Sequence, residues 1–279
     1  QAPTRSAWRP RPGPREAHRY RRSVDALAAV ADLPGVMDAA SKARESFDAM
    51  LWDRQLRKVA QELSRRSALA GAATSAGIDG IEIEWKVWQA GQAADETPMG
   101  RAAGGVVALY AELPSLRRVW ETAPLQALAK MHTLVAVPVT PDDVGRPRSG
   151  PPEDPLRLGI AVEPESVAPR LTDLARRLSM PTSAPALVVA GIVHAELMAL
   201  QPFTYGSGLV ARAADRLVLC SRGLDPDNWS VPEAGLHEQG RPAYARALRG
   251  YAEGDVVGWL RFYFAAMAAG TEGLQQLIG

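Results

Sequence analysis

The sequence predicts an all-α, mainly helical fold with one small β-hairpin. Apolar residues recur every three or four positions along most of the chain, which is the spacing of an amphipathic helix. The predicted helices cover residues 16–44, 47–69, 81–92, 101–110, 124–132, 167–178, 186–200 and 209–222. Between the fifth and the sixth, residues 135–162 contain two short alternating runs and six prolines, which predicts a hairpin or flap there.

Composition places the chain among ordinary globular proteins. Hydrophobic residues make up 47% and charged residues 23% of the 279 residues, which excludes a disordered chain and a collagen-like fibre. The single cysteine, Cys220, excludes an intramolecular disulfide, and the four scattered histidines form no local metal motif. The longest uncharged apolar run is about half of the ~20 residues that span a membrane. We therefore expect no metal site, no membrane segment and, without a signal-like segment, a cytoplasmic location.

Positive charge is concentrated at the start of the sequence. Residues 1–22 contain seven arginines and one acid, so this arm carries +6, while the whole chain carries only +1. The arm either binds an acidic surface or nucleic acid, or lies solvated against the domain through Trp8. Because the net charge of the whole chain is small, we expect nucleic acid to bind, if at all, only to the arm. We divide the chain into a basic Pro/Arg-rich arm with N-terminal helices, residues 1–59, and a helical domain, residues 60–279.

The most informative stretch consists of two predicted helices and the glycine-containing loop between them. The first, 186–200, is apolar on nearly every face, which predicts a helix buried in the centre of a domain. Pro202 ends it, and the next helix begins near residue 209. Main-chain N–H groups at the start of that helix would attract an anion, and an arginine one turn later could clamp it. This candidate anion site consists of Gly206, Ser207, Gly208 and Arg212. An ordinary tight turn would have the same sequence.

This order of elements resembles the Fic (Fido) family. The family's signature, H-P-F-x-D/E-G-N-G-R-x-x-R, lies in a loop between two central helices, and residues 201–212 here are QPFTYGSGLVAR. The matching positions are Pro202, Phe203, Gly206, Gly208 and Arg212. The resemblance spans about residues 60–275. It implies a Fic-like helical domain with a target-positioning flap at about 135–162 and the motif loop at 201–212.

A second resemblance lies upstream of the motif. Many Fic proteins carry an inhibitory helix with the pattern S/T-x-x-x-E-G/N, which Ser75, Asp79 and Gly80 fit with aspartate for glutamate. In the family this acid pairs with the second motif arginine and keeps the γ-phosphate of the nucleotide out. The resemblance therefore implies a pair between Asp79 and Arg212. The alternative is an acid that only ends a helix before Gly80.

The departures from the signature bear on catalysis. Gln201 stands where the family has its general base, a histidine, and an amide accepts no proton near neutral pH. Tyr205 replaces the acid that holds Mg²⁺, and a neutral phenol is a poor ligand for this cation. Leu209 replaces the first arginine. We name no catalytic residue; His194, about two turns before the loop, is interpreted as a hydrogen-bonded core histidine.

Three functions remain open at this stage. The first, which we favour, is a Fic-like protein without AMP-transferase activity that binds a protein partner at the flap groove or acts in regulation. The second is a nucleotidyl- or phosphotransferase with altered chemistry on a protein hydroxyl. The third is a sensor that binds ATP or phosphate without turnover. Tyr205 at the metal position argues against Mg²⁺. Because Fic proteins often self-associate, a homo-oligomer is a candidate assembly.

Overall fold

A computed structural model describes residues 25–140, 142 and 144–278, and helix is the regular structure throughout this part of the chain. The basic arm, residues 1–22, lies outside the described residues. The helices are α1 (Ala26–Ala31), α2 (Val36–Trp52), α3 (Arg54–Lys58), α4 (Ala60–Ile78), α5 (Trp85–Gln89), α6 (Pro98–Thr122), α7 (Pro124–Ala136), α8 (Pro164–Leu178), α9 (Ala186–Leu200), α10 (Ser207–Ser221), α11 (Pro232–Glu238), α12 (Arg241–Ala252), α13 (Val256–Ala269) and α14 (Gln275–Ile278).

Helices α9 and α10 form the centre of the molecule. Every residue of α9 except Ala186 and Glu196 is buried, which confirms the interpretation of its uniformly apolar sequence. Helix α10 is buried from Leu209 to Cys220 and packs against α9. Around this pair, α1, α8, α12 and α13 contact α9, while α4, α6, α7 and α11 contact α10. The short loop that joins α9 to α10 therefore lies at one end of the central pair.

The N-terminal helices pack onto this arrangement. Helix α1 contacts α9, and α2 contacts α9 and α13. Phe47, on α2, is fully buried. The predicted division of the chain at residue 59 stays a prediction.

Helix α4 continues through two glycines that were expected to end it. The sequence predicted a break after residue 69, but α4 extends to Ile78. At Gly71 an added Cβ would lie 2.3 Å from Arg216 Nη2 and 2.8 Å from Glu233 Oε2. The glycine is there because a charged side chain from α10 passes against the helix, and this packing outweighs the low helix propensity of glycine.

The hairpin predicted at 135–162 is not formed by the described residues of that stretch. Residues 135 and 136 belong to α7, and the described residues of 137–163, which we call the flap loop, are irregular. Prolines remove the N–H groups that a strand pair would need. The loop instead hydrogen-bonds to the segment after α9: the N–H of Arg148 donates to the carbonyl of Pro202 (2.9 Å) and that of Glu153 to Thr204 (2.7 Å).

A buried ion pair joins four helices around the centre. The guanidinium of Arg216, on α10, donates two hydrogen bonds of 2.8 Å to the carboxylate of Glu233, on α11. It also donates to the hydroxyl and the carbonyl of Ser67, on α4, and the hydroxyl of Tyr110, on α6, donates to Glu233 (2.8 Å). Burial lowers the pKa of Arg216, but the Glu233 carboxylate outweighs it and raises that pKa above its ordinary value. Arg216 is therefore charged.

Removal of one charge from this pair is expected to destabilise the fold strongly. Glu233→Gln would leave Arg216 buried without a carboxylate, at a cost of about 3–5 kcal/mol in the free energy of unfolding. Urea denaturation measures this. The control is Glu121→Gln, which breaks a solvent-exposed pair with Arg117 (3.4 Å) and should change the same quantity by less than about 0.5 kcal/mol. Equal effects in the two variants would contradict the importance of the buried pair.

Candidate functional site

The loop between α9 and α10 is fixed by an arginine that the sequence analysis did not identify. Gln201 has a φ of +40°, a left-handed conformation that costs a non-glycine residue about 1 kcal/mol or more. The buried guanidinium of Arg148 donates to the carbonyls of Gln201 (2.7 Å) and Leu200 (3.2 Å). It also donates to the carbonyls of Gly150 (2.9 Å) and Val162 (2.5 Å). The flap loop thus holds the end of α9, through main-chain partners that no sequence motif reveals.

The Gln201 side chain lies inside the protein and faces a carboxylate. The residue is 3% exposed, and its Nε2 donates to Asp154 Oδ1 at 3.3 Å. The other end of the amide, Oε1, is buried without a hydrogen-bond partner. The first position of the loop therefore offers an amide in a fixed orientation, with no group that titrates near neutral pH.

The middle of the loop is held by stacking and by a side-chain turn. The ring of Phe203 stacks on His132 with 4.0 Å between centroids. The hydroxyl of Ser207 accepts from the N–H of Phe203 and donates to its carbonyl, both at 3.0 Å. Gly206 precedes α10 with a φ of +72°. The predicted site residues 206–208 thus begin α10, but the Ser207 side chain stabilises the loop.

Asp79 and Arg212 form a second buried ion pair, directly beside the start of α10. Asp79 Oδ1 lies 2.7 Å from Arg212 Nη2, and the arginine is fully buried. Burial lowers the pKa of Arg212, but the Asp79 carboxylate raises it above its ordinary value. An added Cβ at Gly208 would lie 3.0 Å from both Arg212 Nη1 and Asp79 Oδ2, so any larger residue would press against both members of the pair. The acid of α4 therefore covers the first turn of α10.

The upstream residues contact Arg212 and also end the helix. Arg212 Nε donates to the hydroxyl of Ser75 (2.8 Å), and Nη2 donates to the Ser75 carbonyl (3.2 Å). Asp79 is also the residue at which α4 ends, followed by Gly80 with a φ of +89°. The structure thus brings Ser75 and Asp79 to the motif loop, while Gly80 forms the turn after the helix.

Tyr205 is a buried phenol among acids. The residue is 9% exposed, and its hydroxyl has no hydrogen-bond partner. Burial, together with the charges of Asp79 and Glu153, raises the pKa of Tyr205 to about 12. The hydroxyl therefore stays protonated over the physiological range.

Two further acids at the loop were missed in the sequence analysis. Glu153 and Asp154 belong to the flap loop, and they reach the motif loop through the contacts to Thr204 and Gln201 described above. Partial burial and the Asp79 carboxylate raise the pKa of Glu153. The adjacent prolines and the acids themselves were visible in the sequence, but nothing indicated which element they would contact.

His194 lies in the core, as interpreted from the sequence. Its Nδ1 is 2.7 Å from Asp215 Oδ2 and its Nε2 is 2.5 Å from the hydroxyl of Tyr244. Tyr263 donates to the other oxygen of Asp215 at 3.0 Å. All four residues are fully or almost fully buried, so this network stabilises the packing of α9, α10, α12 and α13.

Other kinds of site were sought over the described residues. Within them, no group of three or more His, Cys, Asp and Glu side chains could hold a metal ion. None of their helices combines the length and the apolar character needed to cross a membrane.

Comparisons by sequence find no relative, because no protein-family model and no curated protein matches the chain. Solved structures do match. A Fic family protein from Desulfovibrio desulfuricans G20 superposes with a TM-score of 0.73 at 18% identity, over 87% of this chain and 74% of its own. A fragment of Fic-1 from C. elegans superposes with a TM-score of 0.66 at 20% identity, over 96% of this chain and 78% of its own. The chain has the fold of Fic proteins, which the motif loop had predicted.

The environment of Tyr205 predicts an alkaline titration. The phenolate absorbance of Tyr205 is the difference between the unchanged chain and Tyr205→Phe. In the folded chain it should develop with a midpoint near pH 12. In urea, the control, the midpoint should lie near the ordinary value of about 10. Because the unfolded chain loses this proton first, Tyr205 makes the free energy of unfolding fall as the pH rises from about 10 to 12. A midpoint near 10 in the folded chain would contradict the burial of the hydroxyl among acids.

Proposed function

We propose that this chain belongs to the Fic family, has lost AMP-transferase activity and acts as a binding or regulatory protein. One observation carries the proposal: at the position of the family's general base lies the Gln201 amide, 3% exposed and hydrogen-bonded to Asp154. An amide cannot take the proton of a target hydroxyl, and loss of a general base typically lowers a rate by about 10²–10⁴-fold.

The acid that binds Mg²⁺ in the family is also missing. Fic enzymes hold Mg²⁺ on the nucleotide diphosphate through the motif acid, and the phenol of Tyr205 stays neutral. The nearby acids do not replace it as a preformed centre, since the described residues contain no metal-binding group of three. Losses at the base and at the metal position affect different steps, so a single compensating residue would not restore transfer.

The contact between Asp79 and Arg212 supports a closed site. In the family, an acid at this place excludes the γ-phosphate by occupying the second motif arginine. Here the pair is buried and 2.7 Å apart, and Gly208 gives it room. The proposed protein partner would bind at the groove beside the flap loop, and the proposed location is the cytoplasm.

A phosphate or nucleotide sensor is the second candidate, and one unpartnered nitrogen of Arg212 favours it. Arg212 Nη1 is buried without a hydrogen-bond partner, next to the N-terminal turn of α10. Calorimetry with ATP, with and without Mg²⁺, separates the candidates: Mg²⁺-independent binding supports the sensor, and no binding supports the binding protein. Labelled AMP on any protein would instead favour an altered transferase.

Restoring the base alone is expected to leave the protein inactive. Gln201→His supplies a proton acceptor, but Tyr205 still cannot hold Mg²⁺, so AMP transfer from labelled ATP should not exceed that of the unchanged chain. Tyr205→Asp is the matched control and should also be inactive, because it lacks the base. Measurable transfer by Gln201→His would show that an acid at position 205 is not required. Measurable transfer by Tyr205→Asp would show the same for a base at position 201.

Removing the acid that covers α10 is expected to create an anion site. Asp79→Ala frees Arg212, and a hydrogen bond to a charged group is worth about 1.5–3 kcal/mol, so ATP affinity should rise about tenfold or more. Calorimetry measures the ATP affinity. If the variant is too unstable for calorimetry, the rise in its unfolding temperature on addition of phosphate reports anion binding instead. Asp173→Ala, which removes an exposed acid on α8, is the control and should leave affinity unchanged. An affinity equal to that of the unchanged chain would contradict the blocking role of Asp79.

A further inference from the structure

Every main-chain carbonyl from residue 200 to residue 204 accepts a hydrogen bond. That of Phe203 accepts from the Ser207 hydroxyl, and the other four accept from the flap loop. Two of these donors are in the Arg148 guanidinium, and two are the main-chain N–H groups of Arg148 and Glu153. The four acceptors are the carbonyls of Leu200, Gln201, Pro202 and Thr204. The flap loop therefore closes this side of the motif loop and satisfies its main chain.

The part of the flap loop that supplies these donors has no buried apolar side chain. We call residues 145–155 the strap; the structure describes all of them, and Arg148 alone among them is buried. Directly after the strap, Leu156 and Leu158 are buried in the core, and Arg249, on α12, donates to the Leu158 carbonyl at 3.1 Å. Because segments with few buried apolar contacts open at the lowest free energy, the strap can separate from the motif loop while the chain after it stays in place.

The hydrogen bonds of Arg148 hold the strap, but its charge lacks a carboxylate at ion-pair distance. The guanidinium is buried, and all four of its hydrogen bonds go to main-chain carbonyls. Burial lowers the pKa of Arg148, and the charge of Glu163 raises it by less. Opening of the strap would return this charge to water and release Gln201 from its left-handed conformation. Both changes lower the free energy that opening requires.

We propose that residues 145–155 are an autoinhibitory strap, which Arg148 holds against the motif loop and which opens as a unit while the helices stay folded. In the closed form, Gln201 is buried and none of the carbonyls of residues 200–204 lacks a donor. In the open form, the side chain of residue 201 and the carbonyls beside it become accessible. The inference rests on the proposed function and adds its regulation, because the proposed partner reaches the motif loop only when the strap is open.

Thiol labelling at position 201 measures the opening. Gln201→Cys places a thiol under the strap, and Cys220, buried in α10, serves as the internal reference for wider unfolding. Rates with iodoacetamide are divided by the rates in urea, which removes differences in intrinsic reactivity. We expect position 201 to react faster than Cys220 by this measure. Equal rates at the two positions would overturn the inference.

A second substitution in this chain tests the role of Arg148. Arg148→Lys keeps the charge, but its donors share one nitrogen and cannot reach four carbonyls. Loss of one hydrogen bond from a charged group should raise the rate at position 201 about tenfold or more and leave the rate at Cys220 unchanged. The matched control is Arg146→Lys, an exposed arginine of the strap, which should change neither rate. All three chains carry Gln201→Cys, so the loss of the bond to Asp154 is common to them.

Hydrogen exchange of the unsubstituted chain is an independent measurement that no loss of folding can obscure. The main-chain N–H groups of Arg148 and Glu153 should exchange at a lower free energy of opening than those of α9. Their exchange should also depend little on low concentrations of urea, because a local opening exposes little surface. Exchange of both groups only together with α9, with the same urea dependence, would overturn the inference.

The remaining outcomes separate this inference from the proposed function. An equal rise at position 201 and at Cys220 in Arg148→Lys would show that the arginine stabilises the whole fold, and it would overturn the strap. An equal effect of Arg148→Lys and Arg146→Lys would do the same. Transfer of labelled AMP would overturn the proposed function instead, and it is measured separately from the opening of the strap.

Discussion

Two arginines buried on α10 each require a carboxylate, and this requirement determines the arrangement around the motif loop. Arg216 meets Glu233 from α11, and Arg212, one turn nearer the loop, meets Asp79 at the end of α4. Both guanidiniums also donate to a serine of α4, Ser67 and Ser75. A buried charge without a partner costs several kcal/mol, so α4 and α11 cannot leave these positions without unfolding the centre.

The same arrangement explains why the loop is closed. Helix α4 must bring Asp79 against α10 for Arg212 to be neutralised, and Gly208 leaves the space for it. The first turn of α10, where an anion would bind, is therefore covered by an acid of the protein itself.

The sequence predicted some elements correctly and others not. The apolar run that became α9 could be placed in the core because no face of it was polar, and the matched motif positions indicated the Fic fold. The end of α4 could not be predicted, since Gly71 looks like a helix breaker until Arg216 is known to lie against it. The flap loop was wrongly expected to pair as strands, because the alternation of its residues was visible while the hydrogen bonds from the Arg148 guanidinium to main-chain carbonyls were not.

The sequence by itself determined the helical class, the buried helix, the motif loop and the residue types at positions 201 and 205, because these depend on residue type and on spacing along one segment. Only the tertiary structure decided that Glu153 and Asp154 reach the loop and that the Gln201 and Tyr205 oxygens are buried without partners. Such contacts join segments about fifty residues apart, and their geometry follows from the packing of whole helices, which no local pattern encodes.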